Sequence, residues 1–208
     1  MMRQGRPQEQ GRGAEVIRIA DRRIPERPPA LAAVEAHWLD LAAGRIMPAR
    51  AQLDPRRLRP VLDRIFLLER RLGDAARLRV AGDGVTRLST AALRRRPLAD
   101  LFAPDERERL TAAAEAVFDE PARILLEVAA DRVPGQMLIL PLRDDTGASS
   151  RAIGALEFAR ALHTPAPGLQ ITRRHHRTLL GYGHLPRSGD APVQRRALTL
   201  VTGSDRVG

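Results

Sequence analysis

Residues His37 to Leu62 read HWLDLAAGRIMPARAQLDPRRLRPVL. The stretch joins the end of an apolar helical pattern, a glycine stop and a linker rich in proline and arginine, directly before the first strand-like run. Apolar side chains recur at helical spacing at Leu31, Val34, Trp38 and Leu41. Gly44 stands where a left-handed C-terminal cap is expected. The sequence therefore predicts an amphipathic helix of about four turns, whose apolar stripe packs on its own domain or on a second copy of the chain.

The residues after this helix alternate between strand-like runs and breakers. Asp54-Pro55 predicts a short helical turn. Ile65 to Glu69 and Leu78 to Ala81 then predict two antiparallel strands, which are joined through Gly73-Asp74. Short helical segments are expected between residues 82 and 103, because glycine and proline interrupt brief apolar pieces there.

A longer helix and three more strands complete the pattern. The helix begins at Pro104, with acidic residues in its first turn, and ends at Pro121. Three strand candidates follow, at Arg123 to Ala129, Gln136 to Leu142 and Ala152 to Phe158. We therefore expect an α+β fold, with a five-stranded antiparallel sheet that has helices on one face and is preceded by the amphipathic N-terminal helix. The concave face towards the short helices is the natural place for a small-ligand pocket.

Charge is distributed unevenly along the chain. All 35 basic residues are arginine, which we attribute first to a bias in base composition. Residues 1–29 carry seven arginines against four acidic residues, and residues 160–208 carry eight against two, whereas the middle is close to neutral. A nucleic-acid-binding domain needs a basic face with aromatic side chains nearby, and aromatic residues make up only 3% of the chain. Binding of nucleic acid or of an anionic surface through the basic tails is therefore the alternative function, and it is disfavoured.

Composition also indicates in which part of the cell the protein is located. The chain has no cysteine, which excludes disulfides, a thiol nucleophile and cysteine-ligated metal. Its start, MMRQGRPQEQGRG, lacks the apolar core of a signal peptide. No run approaches the roughly 18 consecutive apolar residues of a membrane-spanning helix. We expect a cytoplasmic protein that does not insert into a membrane.

The linker carries a resemblance to a known family. The ordered set Trp38, Gly44, Arg45, Met47, Pro48, Arg50, Asp54, Pro55 and Leu58 resembles the opening signature of a PAS-like domain family of uncharacterised (alpha)proteobacterial proteins. Leu78 to Val85 (LRVAGDGV) and two pieces between Leu138 and Phe158 (LILPLRDDTG and AIGALEF) are similar to later parts of that family, so the resemblance covers about residues 36–159. It implies a PAS fold and a sensory or adaptor protein without catalytic activity. Such a protein acts through contacts with a signalling protein or a second copy, or through a small ligand.

The resemblance also sets the domain organisation. We divide the chain into a disordered basic leader at residues 1–29, a PAS-like domain with its N-terminal helix at residues 30–159, and a basic, largely irregular tail at residues 160–208. The middle of the domain departs from the family, because Gly82-Asp83 and Thr90 to Leu93 stand where members carry a Gly-Thr pair and a Gly-Arg-Glu-Leu-like stretch. No ligand residue is therefore carried across, and the cofactor-binding residues are unknown.

Residue types disfavour the chromophores that PAS domains hold. A thiol adduct needs cysteine, and a histidine-ligated haem needs an imidazole inside the fold, whereas no histidine lies between His37 and His163. Between residues 38 and 159 only Gln52 and Gln136 offer an amide for a flavin. We expect no cofactor.

Titratable residues have simpler explanations than catalysis. The histidine cluster is His175, His176 and His184, in a tail without the further ligands that zinc needs. Asp144-Asp145 precedes a Thr-Gly pair and is typical of a turn. Glu127 and Glu157 are interpreted as solvent-facing charges. Because no nucleophile, base and orienting acid stand at recognisable spacing, we expect no catalytic residue and no metal site.

The end of the predicted helix and the linker that follows it form the candidate partner surface. Its residues are Trp38, Arg45, Met47, Pro48 and Arg50. Arginine and methionine are favoured at protein interfaces, which supports this interpretation. The alternative for the two arginines is that they clamp carboxylates of the first strands or of the helix end.

Overall fold

The computed structural model of the chain describes residues 27–71, 74–162, 165–166 and 168–179. Its helices are α1 (Pro29–Ala42), α2 (Asp83–Thr86) and α3 (Arg107–Asp119), with 3-10 turns at Arg50–Gln52, Arg59–Arg64, Leu98–Leu101 and Pro104–Glu106. Its strands are β1 (Ile65–Glu69), β2 (Arg77–Ala81), β3 (Ala122–Ala130), β4 (Val133–Leu142), β5 (Arg151–Phe158) and β6 (Gln170–Thr178). The predicted leader up to residue 26, Gly73 of the predicted hairpin and the tail beyond residue 179, with His184, lie outside the described residues.

All six strands form one antiparallel sheet. The strand order is β2-β1-β5-β4-β3-β6, so the strands predicted from the sequence lie together and α3 connects β2 to β3 along the chain. In the middle of the sheet, Gly154 of β5 is in register with Phe66 of β1 on one side and with Ile139 of β4 on the other. The antiparallel α+β prediction is confirmed, with α2 and short turns between the two halves of the sheet.

The predicted count of five strands is wrong, because β6 adds a sixth. It lies in the segment predicted to be an irregular tail and pairs with β3 along its length. Only Ile171 of this strand is buried, so its sequence, QITRRHHRT, has no alternation of apolar and polar residues to indicate a strand. Backbone hydrogen bonding to the edge of β3, anchored by the buried Leu169 and Leu179 at its two ends, holds β6 in place.

Helices cover both faces of the sheet: the helices after β2 lie together on one face, as predicted, and α1, to which the sequence assigned no face, lies on the other. α2, α3 and the turn at Leu98–Leu101 pack on one side, here called the inner face. α1 packs on the opposite side, here called the outer face, where its apolar side chains meet those of β4 and β5. The apolar stripe of α1 is thus buried against its own domain, which decides between the two alternatives that the sequence left open. Its buried members include Leu31, Val34 and Trp38.

The inner face carries a closely packed apolar core. Phe66, Phe102 and Phe118 lie in it together with aliphatic side chains from α3 and the central strands. The sequence placed a ligand pocket between this face and the short helices. In the described part of the chain, apolar side chains fill the core in that region, and a pocket of about 280 Å³ beside α2 is lined by charged residues that include Asp63 and Arg87.

α1 begins and ends where its sequence indicates. Pro29 stands at its first position, where a missing N–H costs nothing. Ala43 takes the left-handed cap conformation and Gly44 follows with φ of +84°, so the chain turns sharply away from the helix. The linker of residues 44–64 then passes the C-terminal end of β4, where Ala49 lies beside Arg143.

Candidate functional site on the outer face of the sheet

Three of the five residues predicted as a partner surface are buried. Trp38 is only 1% exposed, and its indole N–H donates a hydrogen bond of 2.7 Å to the carbonyl oxygen of Pro141. Met47 and Pro48, which belong to the linker, are also buried. These side chains belong to the core that joins α1 to the sheet, and they are not accessible to a partner in this conformation. The reason is that the linker folds back over the outer face instead of standing away from it.

The other two predicted residues, Arg45 and Arg50, are exposed. The Arg45 guanidinium donates to the carbonyl oxygens of Ala42 at 3.2 Å and Leu41 at 2.9 Å, so it neutralises the negative end of the α1 dipole. Within the described residues, the Arg50 guanidinium makes no hydrogen bond or ion pair. Neither arginine clamps a carboxylate there. Ile46, between them, is 45% exposed, although the sequence analysis did not single it out.

The backbone around Arg50 is fixed to the sheet. The Arg50 N–H donates to the Arg143 carbonyl oxygen at 2.8 Å, and the Arg143 N–H donates to the Pro48 carbonyl oxygen at 3.0 Å. A side-chain bond from the Ala49 N–H to Gln52 Oε1, at 2.9 Å, closes the following turn. The linker therefore exposes Arg45, Ile46 and Arg50 on a backbone that is fixed by hydrogen bonds. We call these three residues the loop surface.

Glu157 holds the first turn of α1. One carboxylate oxygen accepts a hydrogen bond of 2.8 Å from the Ala30 N–H, and the other lies 3.1 Å from Arg64. The sequence analysis interpreted Glu157 as a solvent-facing charge, and this is wrong, since its side chain is only 13% exposed. A carboxylate at a helix N-terminus is stabilised by the helix dipole. Its distance of more than a hundred residues from Ala30 in sequence explains why no local pattern indicated this contact.

A row of polar side chains crosses the outer face below α1. Glu127 of β3, Gln136 of β4 and Glu157 of β5 stand in register on adjacent strands. They line a groove of about 520 Å³, whose other walls include Pro28 and Phe158. Gln136 is 8% exposed. This groove offers hydrogen-bonding groups on a largely apolar floor, which is the usual composition of a small-ligand site.

The predicted histidines and paired acids take structural positions. His175 lies on β6 with Nε2 3.0 Å from Glu127, and His176 is exposed on the same strand. Asp144 binds the N–H groups of Thr146 and Ala148 and the hydroxyls of Thr146 and Ser150, and these hydrogen bonds hold its pKa well below the usual range. The turn interpretation of Asp144 is therefore confirmed. In the described part of the chain, no group of three or more histidine and acidic side chains is placed to hold a metal ion.

His37 connects α1 to the linker. Its Nε2 accepts a hydrogen bond of 3.3 Å from the Asp54 N–H, which requires an unprotonated nitrogen at that position. Burial lowers the pKa of His37, and the nearby Arg57 lowers it further. The neutral imidazole is thus part of the folded state.

Acidification is expected to destabilise the protein through His37. Because its folded pKa lies below the unfolded value of about 6.5, the unfolded chain takes up this proton first. The free energy of unfolding should therefore hold above that pH and fall as the pH drops below it. Urea denaturation of wild type and His37→Gln at pH 7.5 and 5.5 (roughly one unit either side of the reference value) measures the effect. The variant should lose less stability on acidification, and an equal loss in both proteins would contradict the assignment.

A charged cluster lies at the other side of α1. Glu35 of α1 pairs with Arg123 of β3 at 2.5 Å and with Arg27, and Arg177 of β6 stands opposite Arg123 in the ladder. Burial lowers the pKa of both Arg123 and Arg27, and in each case a neighbouring arginine adds to the effect. The sequence analysis missed this cluster, because its members come from four separate segments and carry no motif.

The outer face therefore combines several groups of accessible polar and charged side chains. It holds the groove, the charged cluster and the loop surface around one helix. Among the described residues, no helix has the length and apolar content needed to cross a bilayer.

Comparison with known proteins assigns the family. No curated protein sequence matches the chain. The sequence profile of a family described as PAS domain matches residues 26–157, which include α1, the linker and strands β1 to β5 nearly to the end of β5. This span is more than half of the chain. The match agrees with the antiparallel sheet and with the resemblance of the linker, and the chain belongs to the PAS domain family.

Proposed function

We propose that the chain is a cytoplasmic bacterial sensory or adaptor protein of the PAS type, which acts through protein contacts or a small ligand and has no catalytic activity of its own. Membership of the PAS domain family suggests a sensory or signalling role. The more specific proposal, that the protein acts through protein contacts or a small ligand, is based on the outer face. There, one helix is attached to the sheet by specific polar contacts and leads directly into an exposed loop.

The loop surface is the observation that carries the proposal. Arg50 is exposed without an internal partner in the described chain, and Ile46 beside it is a large exposed apolar side chain. Both stand on a backbone that is hydrogen-bonded to β4. A surface that is already ordered loses little conformational entropy on binding. Arginine next to an apolar side chain suits a partner protein that offers a carboxylate and an apolar contact.

The contacts of α1 supply a route by which a signal reaches this loop. Glu157 holds the start of the helix, Glu35 its second turn and Trp38 its third. Ala43 and Gly44 then join α1 to the loop surface without an intervening element. A change in how α1 sits on the sheet therefore reaches Arg45 and Ile46 directly, whereas Arg50 is held by its hydrogen bond to Arg143.

The roles of the acidic side chains support the non-catalytic part of the proposal. Glu35 and Glu157 attach α1 to the sheet, and Asp144 organises the turn between β4 and β5. Each carboxylate is already engaged by arginine, hydroxyl or N–H groups. A general base needs a lone pair directed at a substrate.

Reversal of the Arg50 charge is the test of the proposal. Tagged wild type, Arg50→Glu and Arg94→Glu are used to capture partners from the native host, and recovered proteins are quantified. Arg94 is an exposed arginine on the other side of the molecule and serves as the matched control. A partner that contacts the loop surface should be recovered about tenfold less with Arg50→Glu and equally with Arg94→Glu, since an unfavourable charge at an interface costs at least ~1.4 kcal/mol.

The same variants test the second copy as a partner. Two differently tagged wild-type chains are mixed, and the recovery of one with the other is compared with the Arg50→Glu pair. The proposal fails if every captured protein, including the second copy, is recovered equally with wild type and with Arg50→Glu.

A further inference from the structure

The polar groove below the start of α1 contains a buried amide without a partner. Gln136 of β4 lines the groove and is 8% exposed. Within the described part of the chain, its side-chain amide makes no hydrogen bond. Neither amide atom is sealed from solvent. The amide oxygen and the amide nitrogen can therefore both be reached from the open space of the groove.

The neighbouring positions of β4 show that an amide is not needed for packing. The outer face of this strand continues with Leu138, Leu140 and Leu142, which belong to the apolar core under α1. A leucine at position 136 would extend this row and would need no hydrogen bond. A buried amide without a partner loses the hydrogen bonds that it makes with water in the unfolded chain. The polar side chain at this position therefore points to a ligand that supplies the missing partner.

The charged side chains that line the groove already have counter-charges. The pairs are Glu157 with Arg64, Glu127 with Arg173 and Arg27 with Glu35. A charged ligand would compete with one of these pairs, whereas a neutral ligand leaves all three intact. Other walls of the groove are apolar and include Pro28, Pro134 and Phe158. The groove is therefore suited to a neutral molecule with an apolar body.

We propose that the groove binds a small neutral amide whose C=O and N–H lie on the same side, as in a primary carboxamide or a lactam, joined to an apolar ring. The Gln136 amide offers a C=O beside an NH2 group, so the two amides can form two hydrogen bonds side by side. The ring of the ligand rests against Phe158. The Phe158 ring itself lies against the backbone of Gly135, where a Cβ would be only 2.5 Å from it.

The position of the groove gives binding a consequence. Pro28 and Pro29, at the start of α1, are among its lining residues. A ligand in the groove therefore contacts the end of α1 that Glu157 holds. The inference deepens the proposed sensory role by naming the chemical class of its input, and it rests on that role only for this consequence.

Titration with a matched pair of lactams tests the site. The full chain is titrated by calorimetry with 2-quinolone, a bicyclic lactam, and with its N-methyl derivative, which lacks the amide hydrogen. 2-Quinolone should bind with Kd below ~1 mM. The N-methyl derivative should bind at least about tenfold more weakly, because it leaves the Gln136 carbonyl without a donor. No saturable binding of 2-quinolone, or equal binding of the two compounds, would overturn the proposal.

Substitution of Gln136 separates binding from a structural role. Gln136→Leu should weaken 2-quinolone binding about tenfold or more, and its urea midpoint should equal or exceed that of wild type, since the amide has no partner to lose. Gln170→Leu changes an exposed glutamine of β6 outside the groove and should leave binding unchanged. A lower urea midpoint in Gln136→Leu, or equal weakening of binding in Gln170→Leu, contradicts the site.

The Gln136 side chain can also be observed directly. In proton–nitrogen correlation spectra, its NH2 signals are identified by their absence in Gln136→Leu. Addition of 2-quinolone should shift these signals, because the amide gains hydrogen bonds. Signals that stay in place at saturating 2-quinolone would show that the compound binds elsewhere and would contradict the site.

Failure of this site is distinguishable from failure of the sensory or adaptor role. If titration shows no binding while Arg50→Glu still loses its partner, the amide site is wrong and the adaptor role stands. If 2-quinolone binds through Gln136 but no partner depends on Arg50, the site stands and the proposed output surface is wrong.

Discussion

Replacement of Trp38 by Ala is expected to lower the free energy of unfolding by about 3–5 kcal/mol, the range for deleting a large aromatic side chain from a core. Trp38 is 1% exposed and belongs to the core between α1 and the outer face. Its removal leaves a cavity where α1 crosses the sheet. It also removes the indole N–H that donates to the Pro141 carbonyl oxygen. Urea denaturation followed by circular dichroism measures the loss.

Trp38→Phe is the matched control for the hydrogen bond. Phenylalanine keeps most of the apolar volume and removes the indole N–H, so it should cost about 1–3 kcal/mol, the penalty for an unsatisfied buried acceptor. The difference between the two variants then isolates the packing contribution. A loss below ~1 kcal/mol in Trp38→Ala would contradict the docking of α1 on the sheet.

Replacement of Gly154 by Ala is expected to lower the free energy of unfolding by about 3 kcal/mol, at the upper end for overpacked cores. A Cβ at this position would lie 2.2 Å from the Phe66 ring and 2.7 Å from the Leu138 carbonyl oxygen. Both neighbours are held by the sheet register, so neither can withdraw without shifting a strand. Thermal unfolding of the variant measures the cost.

A double-mutant cycle with Phe66→Leu tests the cause of that cost. The smaller side chain relieves the contact with the ring but not the contact with the Leu138 carbonyl oxygen. The combined loss should therefore be smaller than the sum of the two single losses by about 1 kcal/mol or more. Gly147→Ala serves as a comparison, because Gly147 has φ of +89° and open space around it, so only a conformational cost of about 1–2 kcal/mol applies there. Additive losses in the cycle would contradict the steric explanation.

Strands with an apolar core face could be predicted from the sequence, and of the two edge strands β2 was predicted and β6 was not. β1 and β5 read as compact apolar runs because they are buried in the middle of the sheet. β6 is held by backbone hydrogen bonds to β3. These bonds do not depend on the type of side chain, so the sequence does not indicate them. The face on which α1 packs was equally hidden, since a helical stripe indicates that one side is buried but not which surface covers it.

The candidate site was only partly predictable for a related reason. Arg45 and Arg50 were selected from the linker and are exposed, whereas Trp38 was selected with them and is core. A local motif indicates residues that are important to the protein, but it does not show whether their side chains pack in the core or bind a partner. The Glu35–Arg123 pair and the contact of Glu157 with α1 form only through the sheet register and the crossing of α1, so no spacing in the chain could indicate these contacts.

In the proposed function, α1 connects the polar contacts of the outer face to the loop surface. Hydrogen–deuterium exchange of wild type and Glu157→Ala tests this connection most directly, because it reports local opening segment by segment. The variant lacks the carboxylate that holds the first turn of α1, so exchange should be faster in α1 and also in residues 44–47. Faster exchange in α1 with residues 44–47 unchanged, or no change in either place, would contradict the connection.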